Sequence, residues 1–129
     1  MVDRAAVGAW LDAYVQAWKT YDKDAIRALF SEDATYLHNP FTTKPLQGRE
    51  AIIEDWLKNA DTAGTYDAHY EPIAVDGDIA VANGRTTYFE PGTQKVTSRF
   101  DNIFVLRFDD QGRCVEFREW WMTPRKGGT

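Results

Sequence analysis

The strongest constraint on this chain lies after Gly64. Four β-rich runs follow it, Thr65–Val75, Ile79–Glu90, Lys95–Phe108 and Arg113–Thr123. Between them stand Asp76-Gly77-Asp78, Pro91-Gly92 and Asp110-Gln111-Gly112, residue types that meet the backbone demands of hairpin turns. Strands joined by connections this short pair antiparallel. Runs of this length are about twice those of ordinary strands, so bulges and strong curvature are expected.

The first half reads as helices. Val7, Trp10, Leu11, Tyr14, Val15 and Trp18 step by three and four, the stripe of an amphipathic helix, with Asp3 placed to cap it. Tyr21-Asp22-Lys23-Asp24 interrupts the stripe and offers a capping aspartate for a short helix from Ala25 to Phe30. Ala34 to Pro40 is β-rich and stopped by proline, and Gly48 precedes a third helix with Ile52, Ile53, Trp56, Leu57 and Ala60 on its apolar side. Helices followed by a meander imply an α+β fold, a cone-shaped, strongly curved antiparallel sheet wrapped around three N-terminal helices. Such a cone leaves a pocket at its mouth. With no repeat or linker, residues 1–129 form one domain, with an ordered core from 3 to 123 and a loose tail at 124–129.

Composition removes several function classes. The chain carries 15 basic and 20 acidic side chains, a net charge of −5, against the basic patch that nucleic acid requires. A single cysteine, Cys114, excludes an internal disulfide, and two histidines beside it give no zinc-site spacing. No phosphate-binding or dinucleotide glycine motif is present, so no cofactor is expected. No apolar run nears the roughly 20 residues of a membrane span. The N-terminus lacks a signal-peptide pattern, which points to the cytoplasm. What is in excess is aromatic: five Trp, six Tyr and seven Phe.

Strand parity shows where polar groups are out of place. In Arg99–Asp109 one face reads Phe100, Asn102, Phe104, Leu106, Phe108, the more apolar and hence the inner one, with Asn102 as its exception. In the last strand the core face is Val115, Phe117, Glu119, Trp121, with Glu119 as the exception, opposite Cys114, Glu116, Arg118, Trp120 and Met122. A carboxyl between Phe117 and Trp121 loses hydration, which raises its pKa toward the range useful for acid–base work. The plainer alternatives are an edge ion pair with arginine, a bulge that reverses the parity, and, for Asn102, a satisfied core amide. In Ile79–Glu90 the alternation leaves two choices. If Ile79, Val81, Asn83, Arg85, Thr87 and Phe89 face inward, Arg85 can hold Glu119 or a substrate oxyanion; the other face is Ala80, Ala82, Gly84, Thr86, Tyr88, Glu90. Tyr14 and Trp18 share the buried stripe of the first helix, as plain core or, for Tyr14, as a phenol able to polarise a carbonyl. His38 and His69 stand alone, as surface or hydrogen-bonded strand residues rather than bases, and no serine has a nucleophile-elbow context.

The order helix, short helix, strand, helix, four long strands resembles the nuclear transport factor 2-like fold. Within it the chain is similar to the branch of ketosteroid isomerases, limonene-epoxide-type hydrolases and SnoaL-like polyketide cyclases. The resemblance runs through AYVQAW at 13–18, LFSEDATYLHNPF at 29–41, GREAI at 48–52 and VLRFDDQGRCVEFREWW at 105–121. Against the isomerase pattern, Tyr14 stands at the oxyanion-hole tyrosine, Asn39 at the general-base aspartate and Phe104 at the second oxyanion-hole acid, which argues against steroid isomerisation. Against the epoxide-hydrolase pattern, Asn39 stands at the water-positioning asparagine, Arg85 at the arginine between two acids and Glu119 at the acid of the last strand. Thr87 replaces the other catalytic acid, and Leu37 the tyrosine that helps hold water.

The resulting expectation is an enzyme doing cofactor-free acid–base chemistry on a small, largely apolar oxygenated molecule. Glu119, Arg85 and Asn39 would be catalytic, and Tyr14, Trp18, Trp56, Asn102, Phe100, Phe104, Phe117, Trp121 and Thr87 would line the pocket. A ligand-binding protein with the same pocket is one alternative. An assembly module is another, using Ile103, Val105, Trp120 and Met122 on the outer sheet face, which also suggests a homodimer.

Overall fold

The structure, a computed structural model, describes residues 1–124; residues 125–129 of the expected loose tail lie outside the described residues. Helix α1 spans Arg4–Thr20 and begins where Asp3 accepts the Ala6 N–H at 2.8 Å. It ends at Tyr21, left-handed at φ +51°, whose N–H closes on the Ala17 carbonyl. Asp22 caps α2, Lys23–Leu29, by accepting the Asp24 N–H. The chain then enters β1, Phe30–Leu37, four residues before the expected start and three before the expected end. Asn39 and Pro40 override the β-rich composition there, since the Asn39 side-chain Oδ1 accepts the Phe41 N–H at 2.8 Å in an Asx turn. A two-residue strand, β2 (Leu46–Gln47), was not expected. Helix α3, Arg49–Lys58, buries Ile52, Ile53 and Trp56, while Ala60 lies beyond it and is exposed.

Strands β3 (Tyr66–Asp76), β4 (Ile79–Phe89), β5 (Val96–Phe108) and β6 (Cys114–Met122) follow the four runs closely. They form one six-stranded sheet in the order β2-β1-β6-β5-β4-β3, antiparallel except for the β1–β6 pair. Long strands bend at bulges, as expected. The register slips at Ile73, after Pro72, which has no N–H to donate, and again between Tyr88 and Phe89. A further slip leaves Val115 as the extra residue of β6, because Phe108 pairs with Cys114 and Arg107 with Glu116. Cys114 is therefore fully buried in place of Val115, while Phe117 and Glu119 keep the inward parity.

The inner face packs on the helices around Phe30, Phe104, Leu106, Phe117, Leu11 and Ile26, all with essentially no exposed surface. Trp10 links the two layers, donating its indole N–H to the Leu29 carbonyl at 2.9 Å and stacking on Tyr14. No helix among the described residues is long and apolar enough to cross a membrane.

Candidate functional site

Register decides which side chains meet inside the curve of the sheet. Glu119 pairs directly with Phe104, Asn102 with both Trp121 and Gly84, and Gly84 with Tyr70. Residues paired directly across antiparallel strands share a face. Gly84 makes the arrangement possible, because a Cβ there would lie 2.0 Å from the His69 carbonyl oxygen and 2.6 Å from the Tyr70 ring. Without that side chain the Tyr70 ring settles 4.6 Å from Phe104 and its hydroxyl reaches Thr86.

A hydrogen-bonded chain results. Thr86 donates its hydroxyl to Asn102 Oδ1 at 2.9 Å, and Asn102 Nδ2 donates to Glu119 Oε2 at 2.7 Å. The Thr86 proton is spent on Asn102, so Tyr70 is the donor in its 2.6 Å contact with Thr86. The Asn102 amide is thereby fixed with its NH₂ toward the carboxyl. Burial lifts the Glu119 pKa from 4.5 to about 7, and the Asn102 hydrogen bond restrains the rise. Among the described residues, Glu119 Oε1 has no hydrogen-bond partner. The carboxyl can therefore give or take a proton near neutral pH through that atom.

Beside Glu119, the hydroxyls of Tyr14 and Tyr36 are 2.9 Å apart. Burial pushes both phenols well above their ordinary pKa, with the Glu119 charge adding to it, so both stay protonated donors at neutral pH. These groups open on a cavity of about 430 Å³. Trp18, Tyr21, Trp56, Tyr88, Phe100 and Trp121 form its walls, and Tyr70, Thr86, Asn102, His38, Asp55, Asn59 and Asp61 add polar atoms. A run of edge-to-face rings, Trp18–Tyr88–Phe100–Trp121, builds one side at centroid spacings of 6.4, 5.7 and 5.5 Å. Trp18 is held by stacking on Tyr66 at 4.3 Å and by donating to Asp61 Oδ2 at 3.2 Å. Among the described residues no group of three or more His, Cys, Asp and Glu is placed to hold a metal ion.

The SnoaL-like domain profile matches residues 11–117, most of the chain. The chain belongs to the SnoaL-like family. The match places this SnoaL-like domain in the nuclear transport factor 2-like superfamily that its motifs resemble. Its fold is similar to the crystal structure of an NTF-2 like protein of unknown function from Burkholderia xenovorans LB400. That similarity has a TM-score of 0.67 at 16% identity and covers 94% of this chain and 86% of the other. No curated protein sequence matches the chain.

The SnoaL-like domain brings only part of the expected residue set together. Glu119, Asn102, Tyr14, Trp18, Trp56, Phe100 and Trp121 all line the cavity. Phe104 and Phe117 do not; they are the dry layer beneath it, Phe117 stacked 4.2 Å from Tyr36 and 5.4 Å from Tyr14. Arg85 and Thr87 are corrected outright. The inner face of β4 is Ala80, Ala82, Gly84, Thr86 and Tyr88, so Arg85 points outward and pairs with Asp101 at 2.8 Å, its side chain 72% exposed. Asn39 lies past β1 with its oxygen committed to the Phe41 N–H, outside the cavity lining. Both histidines are exposed and hydrogen-bonded, as expected, His69 to Glu71 and His38 to Asp55; His38, its side chain 49% exposed, also lines the cavity.

Sequence reasoning missed Tyr36, Tyr70, Thr86 and the His38–Asp55 pair. The signal for β4 was present in the small residues Ala80, Ala82 and Gly84, which pair with Leu106, Phe104 and Tyr70 on the inner face.

Proposed function

We propose that the cavity is a ligand pocket in which Glu119 transfers a proton to or from a small, largely apolar oxygenated molecule without a cofactor. The observation that carries this is a carboxyl with a pKa near 7, held by Asn102 and opening on an aromatic cavity. Isomerisation, cyclisation, dehydration and hydrolysis all use such a group. In this reading the aromatic walls bind the apolar body of the substrate. The Tyr14–Tyr36 hydroxyl pair donates to the oxygen where charge develops, and Thr86 and Tyr70 keep Asn102 oriented.

The test is a turnover screen of epoxides, enones and polyketide-like ketones, with Glu119→Gln as the control. For a substrate that reacts, the variant loses at least about a hundredfold in turnover, the ordinary contribution of a general acid–base. An equal rate removes Glu119 from the chemistry. Ligands that bind but never change would leave a binding protein.

We also propose a homodimer through the outer sheet face, supported by partly exposed Ile103, Val105 and Trp120 beside Met122, which is 74% exposed. Arg118 covers one face of the Trp120 ring at 5.0 Å. Sedimentation at micromolar concentration reads the state directly, and a monomer there removes the proposal. The single, buried Cys114 fits the reducing cytoplasm.

A further inference from the structure

The parallel pairing of β1 with β6 has a consequence at the end of β1. Tyr36 stands beside Phe117 and Leu37 beside Arg118. β1 ends at Leu37, and His38 follows it in the bend beyond the strand. His38 and Glu119 both line the cavity. His38 Nε2 lies 3.1 Å from Asp55 Oδ2, while Asp55 Oδ1 accepts at 3.1 Å from Nδ2 of Asn59, the residue just past α3, so the carboxyl is held between the two. A carboxylate only accepts, so Nε2 carries a proton, and in the neutral form of the ring the lone pair is on Nδ1. Among the described residues Nδ1 has no hydrogen-bond partner. The Tyr36 ring meets the imidazole edge-to-face at 4.9 Å and limits its rotation.

We propose that His38, oriented by Asp55, is a second proton-transfer group of this cavity, acting beside Glu119. The site then takes a proton at one atom of a substrate and returns one at another, as 1,3-proton shifts and eliminations of water require. The inference rests on the acid–base reading of Glu119 and extends it to a pair. His38 is the reacting group and Asp55 a positioning residue.

Two measurements on the full chain test it. Nitrogen-15 NMR of neutral His38 reports the tautomer: the Nε2–H form is expected, with Asp55→Asn mixing the two, and an Nδ1–H form overturns the proposal. The second uses 5-nitrobenzisoxazole, a neutral apolar probe whose ring C–H proton passes to a base as the N–O bond breaks and 2-cyano-4-nitrophenolate is released. Glu119→Gln should slow this reaction. His38→Gln should slow it at least about tenfold further in that background, a modest share of a general base's usual effect. Asp55→Asn should add nothing once His38 is Gln, which separates positioning from a general structural role. A fast wild-type protein whose rate ignores His38→Gln in both backgrounds overturns this inference alone. A wild-type protein no faster than buffer overturns the Glu119 reading and this one together.

Discussion

Asp101 and Glu119 sit on adjacent strands of one sheet, on opposite faces, and their chemistry diverges. Asp101 faces out, is 44% exposed at its side chain, and is held below the usual carboxylate range by hydrogen bonds from Arg85 and then Asn83. Glu119 faces in, has one donor among the described residues, the neutral Asn102 amide, and is pushed up to about 7 by burial. Desolvation acts against the charged form and a cation acts for it. Strand parity alone therefore assigns one acid to the surface and makes the other a candidate for proton transfer.

The largest way to break this contrast is to remove the dry layer under Glu119. Phe117 has no exposed surface and lies between Tyr14 and Tyr36. Phe117→Ala should cost about 3–5 kcal/mol in chemical denaturation, the usual toll of a large aromatic truncated in a core. Water entering the space should also bring the Glu119 midpoint down toward 4.5. A variant that loses stability but keeps the midpoint near 7 would show that Phe117 does not supply the desolvation.

The next effect is the pH dependence of stability, which should have opposite signs on the two faces. In the unfolded chain Glu119 ionises near 4.5, in the folded protein near 7. Between these values the folded state binds more protons, so stability falls as pH rises and levels off above about 7. The loss should total about 3 kcal/mol, and Glu119→Gln should abolish it, leaving the variant more stable than wild type at pH 8. Asp101 has its pKa lowered, so its contribution is present at neutral pH and is lost only as pH falls below the ordinary carboxylate range. Equal stability of wild type and Glu119→Gln across pH 5–8 would contradict the burial of this carboxyl.

The architecture was legible because hairpin turns and helical stripes are local signals. Asp3 caps the helix it was read to cap, an aspartate of the 21–24 segment (Asp22) caps the second, which starts two residues earlier than expected, and the four long strands fall within a residue or so of their runs. Glu119 and Asn102 were legible for a related reason, as polar interruptions of a continuous apolar face. Arg85, Thr87 and Asn39 were not. The facing of β4 depends on its pairing with β3 and β5, which single-strand alternation does not contain, and Asn39 was lost to turn chemistry one residue before a proline. Tyr36, Tyr70 and His38 looked like ordinary strand residues. Only the β1–β6 and β3–β4 registers carry Tyr36 and Tyr70 inward, with His38 in the bend just past β1.

A smaller effect sharpens the role of the hydrogen-bonded chain. Thr86→Val removes the donor that fixes Asn102 and leaves Tyr70 without its acceptor. The amide is then free to turn its oxygen toward Glu119, which only a protonated carboxyl tolerates. The Glu119 midpoint should rise by up to about one unit, worth ~1.4 kcal/mol, as read by carboxyl-carbon NMR with Glu119→Gln to assign the signal. Thr86→Ser, which keeps the hydroxyl, should restore it. An unmoved midpoint in Thr86→Val would mean that Asn102 holds its orientation without Thr86.

The smallest effect belongs to the outer face and serves as the control for all the others. Arg85 and Asp101 form an exposed pair, and such pairs contribute about 0–1 kcal/mol and fade with salt. Arg85→Ala should change stability by less than about 1 kcal/mol and move the Asp101 midpoint up toward its ordinary value. The same substitution should leave the Glu119 midpoint and the nitrobenzisoxazole rate where they were, because the backbone of the sheet stands between the guanidinium and the cavity. A drop in that rate would return Arg85 to the site despite its outward register. An unchanged rate with a shifted Asp101 confines the arginine's influence to the outer face and leaves the inward carboxyl governed by its own burial and by Asn102.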